Sequence, residues 1–62
     1  LRVRFLVGQY LGAHKRSPRG FGYWIFRIGN KDIWIRGTYT QAKKAAAKAA
    51  REAGVTEVTV MP

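Results

Sequence analysis

The chain opens on LRVRFLV, in which apolar and polar positions alternate: Val3, Phe5 and Val7 fall on one side, Arg2, Arg4 and Leu6 on the other. Period two with β-branched and aromatic residues is the pattern of a half-buried strand over residues 1–7. Gly8 and Gly12 then punctuate the chain, and the stretch YLGAHKRSPRG reads as a basic loop. Residues 22–36 read as a hairpin. Tyr23–Ile28 and Ile33–Arg36 are rich in strand formers, and Gly29-Asn30-Lys31-Asp32 between them suits a turn. Parity sorts the faces. Val3, Phe5, Trp24, Phe26, Ile28, Ile33 and Ile35 are expected inward; Arg2, Arg4, Tyr23, Arg27, Trp34 and Arg36 outward.

From residue 40 the period changes to that of a helix. Ala42, Ala45, Ala46, Ala49 and Ala53 form a stripe of small residues, and Lys44, Lys48 and Arg51 lie opposite. Thr38 or Thr40 can cap the start, and Gly54 stands where a left-handed C-cap is expected. An alanine stripe buries little area but lets a helix lie close to a sheet, so the sheet's aromatics must supply the core. Val55–Met61 alternates again and reads as a last strand with Val58 and Val60 inward. The expected fold is α+β, one small domain over 1–62: an antiparallel sheet of three to four strands with one α-helix packed on one face.

Charge then changes the picture. Twelve Lys and Arg face three acids, a net charge of +9 on 62 residues. Such an excess points to an anionic partner. There is no cysteine, so no disulfide or thiolate metal site supports the fold. No apolar run approaches the roughly 20 residues that span a bilayer. Arg2 and Arg4 interrupt any signal-peptide pattern. The chain begins at Leu1, so at least an initiator methionine is expected to be missing. A cytoplasmic place of action is expected.

Candidate chemistry is binding rather than catalysis. The acids Asp32, Glu52 and Glu57 fall in a turn, a helix end and a strand, which forms no acid–base pair. His14 is the lone histidine, with no second ligand at metal spacing. Neither enzyme activity, cofactor, metal nor small-molecule substrate is expected. Three groups carry the binding reading. On the outward face, Arg2, Arg4, Arg27 and Arg36 alternate with Tyr23 and Trp34; guanidinium groups bind phosphates and aromatic rings stack on unpaired bases. The alternative is a solvated face, or Trp34 turned into the core with parity wrong by one. In the loop, His14, Lys15, Arg16 and Arg19 could wrap a phosphate backbone and order on binding, or simply belong to a connection that crosses the sheet. At the helix start, Lys43 and Lys44 oppose the macrodipole unless an anion lies nearby.

The run from Tyr10-Leu11-Gly12 through Gly22 to Trp34 and Gly37-Thr38-Tyr39-Thr40, opening an alanine-rich helix, resembles the plant ethylene-response-factor (APETALA-type) DNA-binding domain. It is similar also to the arm-binding domains of tyrosine integrases. The resemblance implies a three-stranded sheet on one helix with the sheet in the major groove, and DNA contacts from His14, Arg16, Arg27, Trp34 and Arg36. The chain departs from that pattern by an extra residue between Trp34 and Gly37, by Lys43 and Lys44 where that family has helix acids, and by its first and last strands. A fainter resemblance is to small phage proteins that bind host RNA polymerase. The expected partner is therefore nucleic acid, DNA or RNA, with RNA polymerase or another transcription-complex protein as the alternative.

Overall fold

The computed structural model describes residues 2–62; Leu1, part of the expected first strand, lies outside the described residues. In chain order the elements are β1 (Arg4–Leu6), α1 (Gly8–His14), β2 (Phe21–Ile28), β3 (Lys31–Thr38), α2 (Tyr39–Glu52) and β4 (Glu57–Val60). The α+β class holds. The four strands form one sheet in the order β1–β4–β2–β3, with α2 across one face.

The hairpin is longer and tighter than the propensities suggest. Its strands pair from Phe21↔Thr38 to Ile28↔Lys31 around a two-residue turn, Gly29-Asn30. Gly29 has φ 63° and Asn30 keeps a negative φ, which fits the II′ turn that matches strand twist. The expected parity is observed. Trp24, Phe26, Ile28, Val58 and Val60 are buried, and Val3, Phe5, Ile33 and Ile35 pack half-buried against them. The Trp24 indole N–H, which burial removes from water, donates to the Gly37 carbonyl at 3.0 Å.

Helix α2 begins and ends on local signals. The Thr38 side chain accepts from the Gln41 amide while the Gln41 side chain accepts from the Thr38 amide, a reciprocal capping box. At the other end Val55 N–H donates to Ala50 O and Gly54 N–H to Arg51 O, the Schellman pair, with Gly54 at φ 72°. The buried stripe is Ala42, Ala46 and Ala50, with Ala49 half-buried; Ala45 and Ala53 are exposed, contrary to expectation. The sheet selects the i, i+4, i+8 row because Tyr39, one residue before the expected start, also turns inward and sets the helix rotation. Its ring packs on Trp24 and Phe26 at centroid distances of 5.0 and 6.4 Å.

Two further expectations are corrected. The sheet is mixed, because β1 runs parallel to β4 with Phe5 opposite Val58. This register sets Phe5 edge-on to Phe26, 6.0 Å between centroids. Alternation shows which face of a strand is buried but not its direction. The second correction concerns the stretch read as loop: residues Gly8–His14 form α1, with Gly8 and Gly12 inside it. Tyr10 is buried against Trp24 at 5.7 Å and stacks on His14 at 4.1 Å. Gly12, the interior one, costs about 1 kcal/mol relative to alanine, which burial of one large side chain, worth about 1.5–3 kcal/mol, offsets. Lys15, the one non-glycine residue with positive φ among the described residues, ends α1 at φ 59°.

Candidate nucleic-acid interface

The face opposite α2 is open. On it β2 presents Phe21, Tyr23, Ile25 and Arg27, and β3 presents Asp32, Trp34 and Arg36. Phe21, Tyr23 and Trp34 are 68%, 70% and 69% exposed. Trp34 is thus outside the core, as parity requires. The ladder explains the arrangement. The Ile25 carbonyl accepts from the Met61 amide at 2.9 Å, so the main-chain groups of the odd residues in β2 point toward the β4 side. Tyr23↔Arg36 and Ile25↔Trp34 are therefore among the non-hydrogen-bonded pairs of the hairpin, in which side chains approach most closely. The Arg36 guanidinium carbon lies 5.4 Å from the Phe21 ring centroid and 5.8 Å from that of Tyr23. Each such exposed cation–π contact is worth about 0.5–1 kcal/mol. Arg36 is thereby held extended along two rings with its donors still in solvent, a ready ligand for a phosphate or a base edge.

The other arginines of this face are less free. The Arg27 Nε donates to Asp32 Oδ1 at 2.8 Å and its Nη2 to Oδ2 at 3.2 Å. The hydrogen bond and charge of Arg27 hold the Asp32 carboxyl below its usual range, and the same contact raises Arg27. Arg4 Nη2 lies 3.9 Å from Glu57 Oε2 across the parallel pair. Arg2 is exposed, before β1.

The basic residues after α1 gather elsewhere. His14, Arg16 and Arg19 border a cleft of about 290 Å³ with Tyr10, the Phe21–Ile25 stretch of β2, Met61 and Pro62. Lys15 is exposed at the C-cap of α1. The end of this segment is anchored, since the Tyr39 amide donates to the Gly20 carbonyl at 2.8 Å.

Lys43 and Lys44 do not make an anion site at the helix start. With Thr38 as N-cap and Tyr39 as first residue they lie in the second turn, where the macrodipole has faded. Lys43 Nζ instead sits 5.1 Å from the Phe5 ring centroid, on the far side from the open face. Of the residues singled out from the sequence, the structure thus brings Tyr23, Arg27, Trp34 and Arg36 together on one face, and His14, Arg16 and Arg19 together at one end of it. Phe21 and Asp32 were missed. Continuing the Tyr23–Ile25 alternation two residues back would have found Phe21. The two-residue turn, which sets Arg27 opposite Asp32, would have found the ion pair.

No helix among the described residues is long and apolar enough to cross a membrane. Comparison of the chain with family models, with curated proteins and with solved structures gives no match.

Proposed function

We propose that this protein is a non-catalytic, transcription-related nucleic-acid-binding domain that lays unpaired bases on its open sheet face and takes phosphates on Arg36 and the basic residues after α1. One observation carries the reading: three exposed rings, Phe21, Tyr23 and Trp34, share the open face with Arg36, which packs on the first two, in a chain with net charge +9. A face of rings suits single strands, because a duplex hides the base planes that stacking needs. The resemblance to sheet-based DNA-binding domains supports the same face. The reading goes with a cytoplasmic place of action, that of a bacterial host if the chain is phage-encoded. Binding of oligo-dT, oligo-U and a random duplex across a salt series tests it. The log affinity for single strands should fall with log salt at about −0.7 per phosphate contacted. Binding weaker than about 100 µM to all three at physiological salt removes the reading.

One feature favours a second reading, a regulator that docks on RNA polymerase. Strand β3 is an eight-residue edge strand, and an extended partner segment can add to such an edge. Retained nucleic-acid affinity with loss of polymerase pull-down in Trp34→Ala would make this the leading reading.

A further inference from the structure

The cleft at the end of the open face is built differently from the face itself. Strand β4 pairs with β2 only over Phe26–Ile28, and Met61 adds one bond to Ile25. Beyond that point no described strand runs beside β2 on this side. The main-chain N–H and C=O of Tyr23 share the orientation of those of Ile25, so they point into the gap. Five consecutive residues of β2, Phe21–Ile25, line the cleft, which is what an open strand edge presents. Opposite this edge stands His14, exposed, with one ring face backed by Tyr10 at 4.1 Å and 22° between planes. Arg16 and Arg19 close the rim, and no carboxylate side chain lines the cleft. At about 290 Å³ it lies at the lower bound of small-molecule sites, about 300 Å³.

We infer that this cleft is a subsite for one nucleotide, with the base continuing the Tyr10–His14 stack, the Tyr23 main chain reading the base edge, and Arg16 and Arg19 holding the phosphate. The inference rests on the nucleic-acid reading above and extends it. Phe21 and Tyr23 belong to both surfaces, so a strand lying on the face can turn around the free end of β2 and place its next nucleotide here. Histidine rings are established platforms for unstacked bases. Arginine pairs bind phosphate through several charge-assisted donors. Strand-edge amide and carbonyl groups offer one donor and one acceptor, as a base edge requires.

The test is an amide and side-chain NMR titration of the whole chain with AMP, and separately with adenosine and with inorganic phosphate. AMP should shift the Tyr23 amide, the His14 ring and the Arg16 and Arg19 Nε resonances together. Adenosine and phosphate should each bind more weakly. Loss of two charge-assisted contacts predicts that Arg16→Ala with Arg19→Ala weakens AMP by at least about tenfold. Both residues are exposed, and the amide spectrum of the variant verifies that it folds. Lys48→Ala with Arg51→Ala removes the same charge from α2 and should leave AMP affinity unchanged. Equal losses in the two double variants, or AMP shifts that map to Trp34 and Arg36 or are absent at millimolar AMP, overturn the subsite. If oligo-dT binds and depends on Trp34 while AMP fails, the face reading stands and the subsite falls. If AMP binds as described and no strand binds, the cleft is a mononucleotide site and the face reading falls.

Discussion

The two tryptophans offer a controlled contrast, since they sit on paired strands of one hairpin, ten residues apart in the chain, and on opposite faces of the same sheet. Trp34→Ala is the informative change. At 69% exposure, under a third of its surface is covered. A fully buried aromatic side chain covers about 150–250 Å², so truncating Trp34 uncovers at most about 80 Å², or about 2 kcal/mol at 25 cal/mol per Å². Trp24, 5% exposed, is different: truncating a buried tryptophan costs about 3–5 kcal/mol. Losing its bond to the Gly37 carbonyl adds about 1 kcal/mol. A domain of this size has about 3–9 kcal/mol in all. Urea unfolding followed by far-UV circular dichroism should therefore show Trp34→Ala folded and Trp24→Ala unfolded or close to it. Binding should reverse the order of interest. If Trp34 stacks on a base, oligo-dT affinity should drop by about 1–3 kcal/mol, which is about 5- to 150-fold. Fluorescence anisotropy of labelled oligo-dT measures it, at a salt concentration where the wild type binds half-maximally. An unfolded Trp34→Ala would refute the strand parity, and a folded variant with unchanged affinity would refute stacking on this face.

Four further outcomes follow from other contacts. Thr38→Ala removes the cap of α2 and should cost about 0.5–2 kcal/mol in urea unfolding; a change below the error of the measurement would mean the capping box is dispensable. Gly37→Ala should destabilise by more than about 1 kcal/mol, because φ is 147° and the new Cβ would come within 3.2 Å of Gln41 Oε1; a neutral result would show that the strand relaxes there. Asp32→Asn frees Arg27 and should raise single-strand affinity and steepen its salt dependence. Because Arg27 holds the Asp32 carboxyl low, the pair's contribution to stability is present above the ordinary aspartate range and fades as pH falls below about 4; that fade should be missing in Asp32→Asn. Burial pushes the Tyr39 hydroxyl up, so the unfolded chain ionises first and stability should decline as pH rises above about 10. Tyr39→Phe should lose that alkaline decline, and its persistence would assign the decline to another group.

The sequence by itself determined whatever depends on near neighbours. Alternation in Trp24–Ile28 and Val58–Val60 set the buried face. Thr38 with Gln41, and Gly54 with Val55, set the ends of α2, because caps are local hydrogen bonds. The Arg and aromatic content of the open face was legible for the same reason, since parity alone places Tyr23, Trp34 and Arg36 on one side. The tertiary structure decided the rest. Val7, Tyr10, Leu11 and His14 have helical spacing, yet two glycines and a basic tail mask it; α1 forms because Trp24 offers Tyr10 a place to bury. The direction of β1 depends on Phe5 meeting Phe26 and Val58, contacts more than twenty residues away in the chain. The pairing of Arg27 with Asp32, the withdrawal of Lys43 onto Phe5 and the cleft at the free end of β2 likewise arise where separate elements meet. Local periodicity says which way a side chain points. Which atoms it meets there is settled by long-range packing, in which each element takes the position that buries the others' apolar faces.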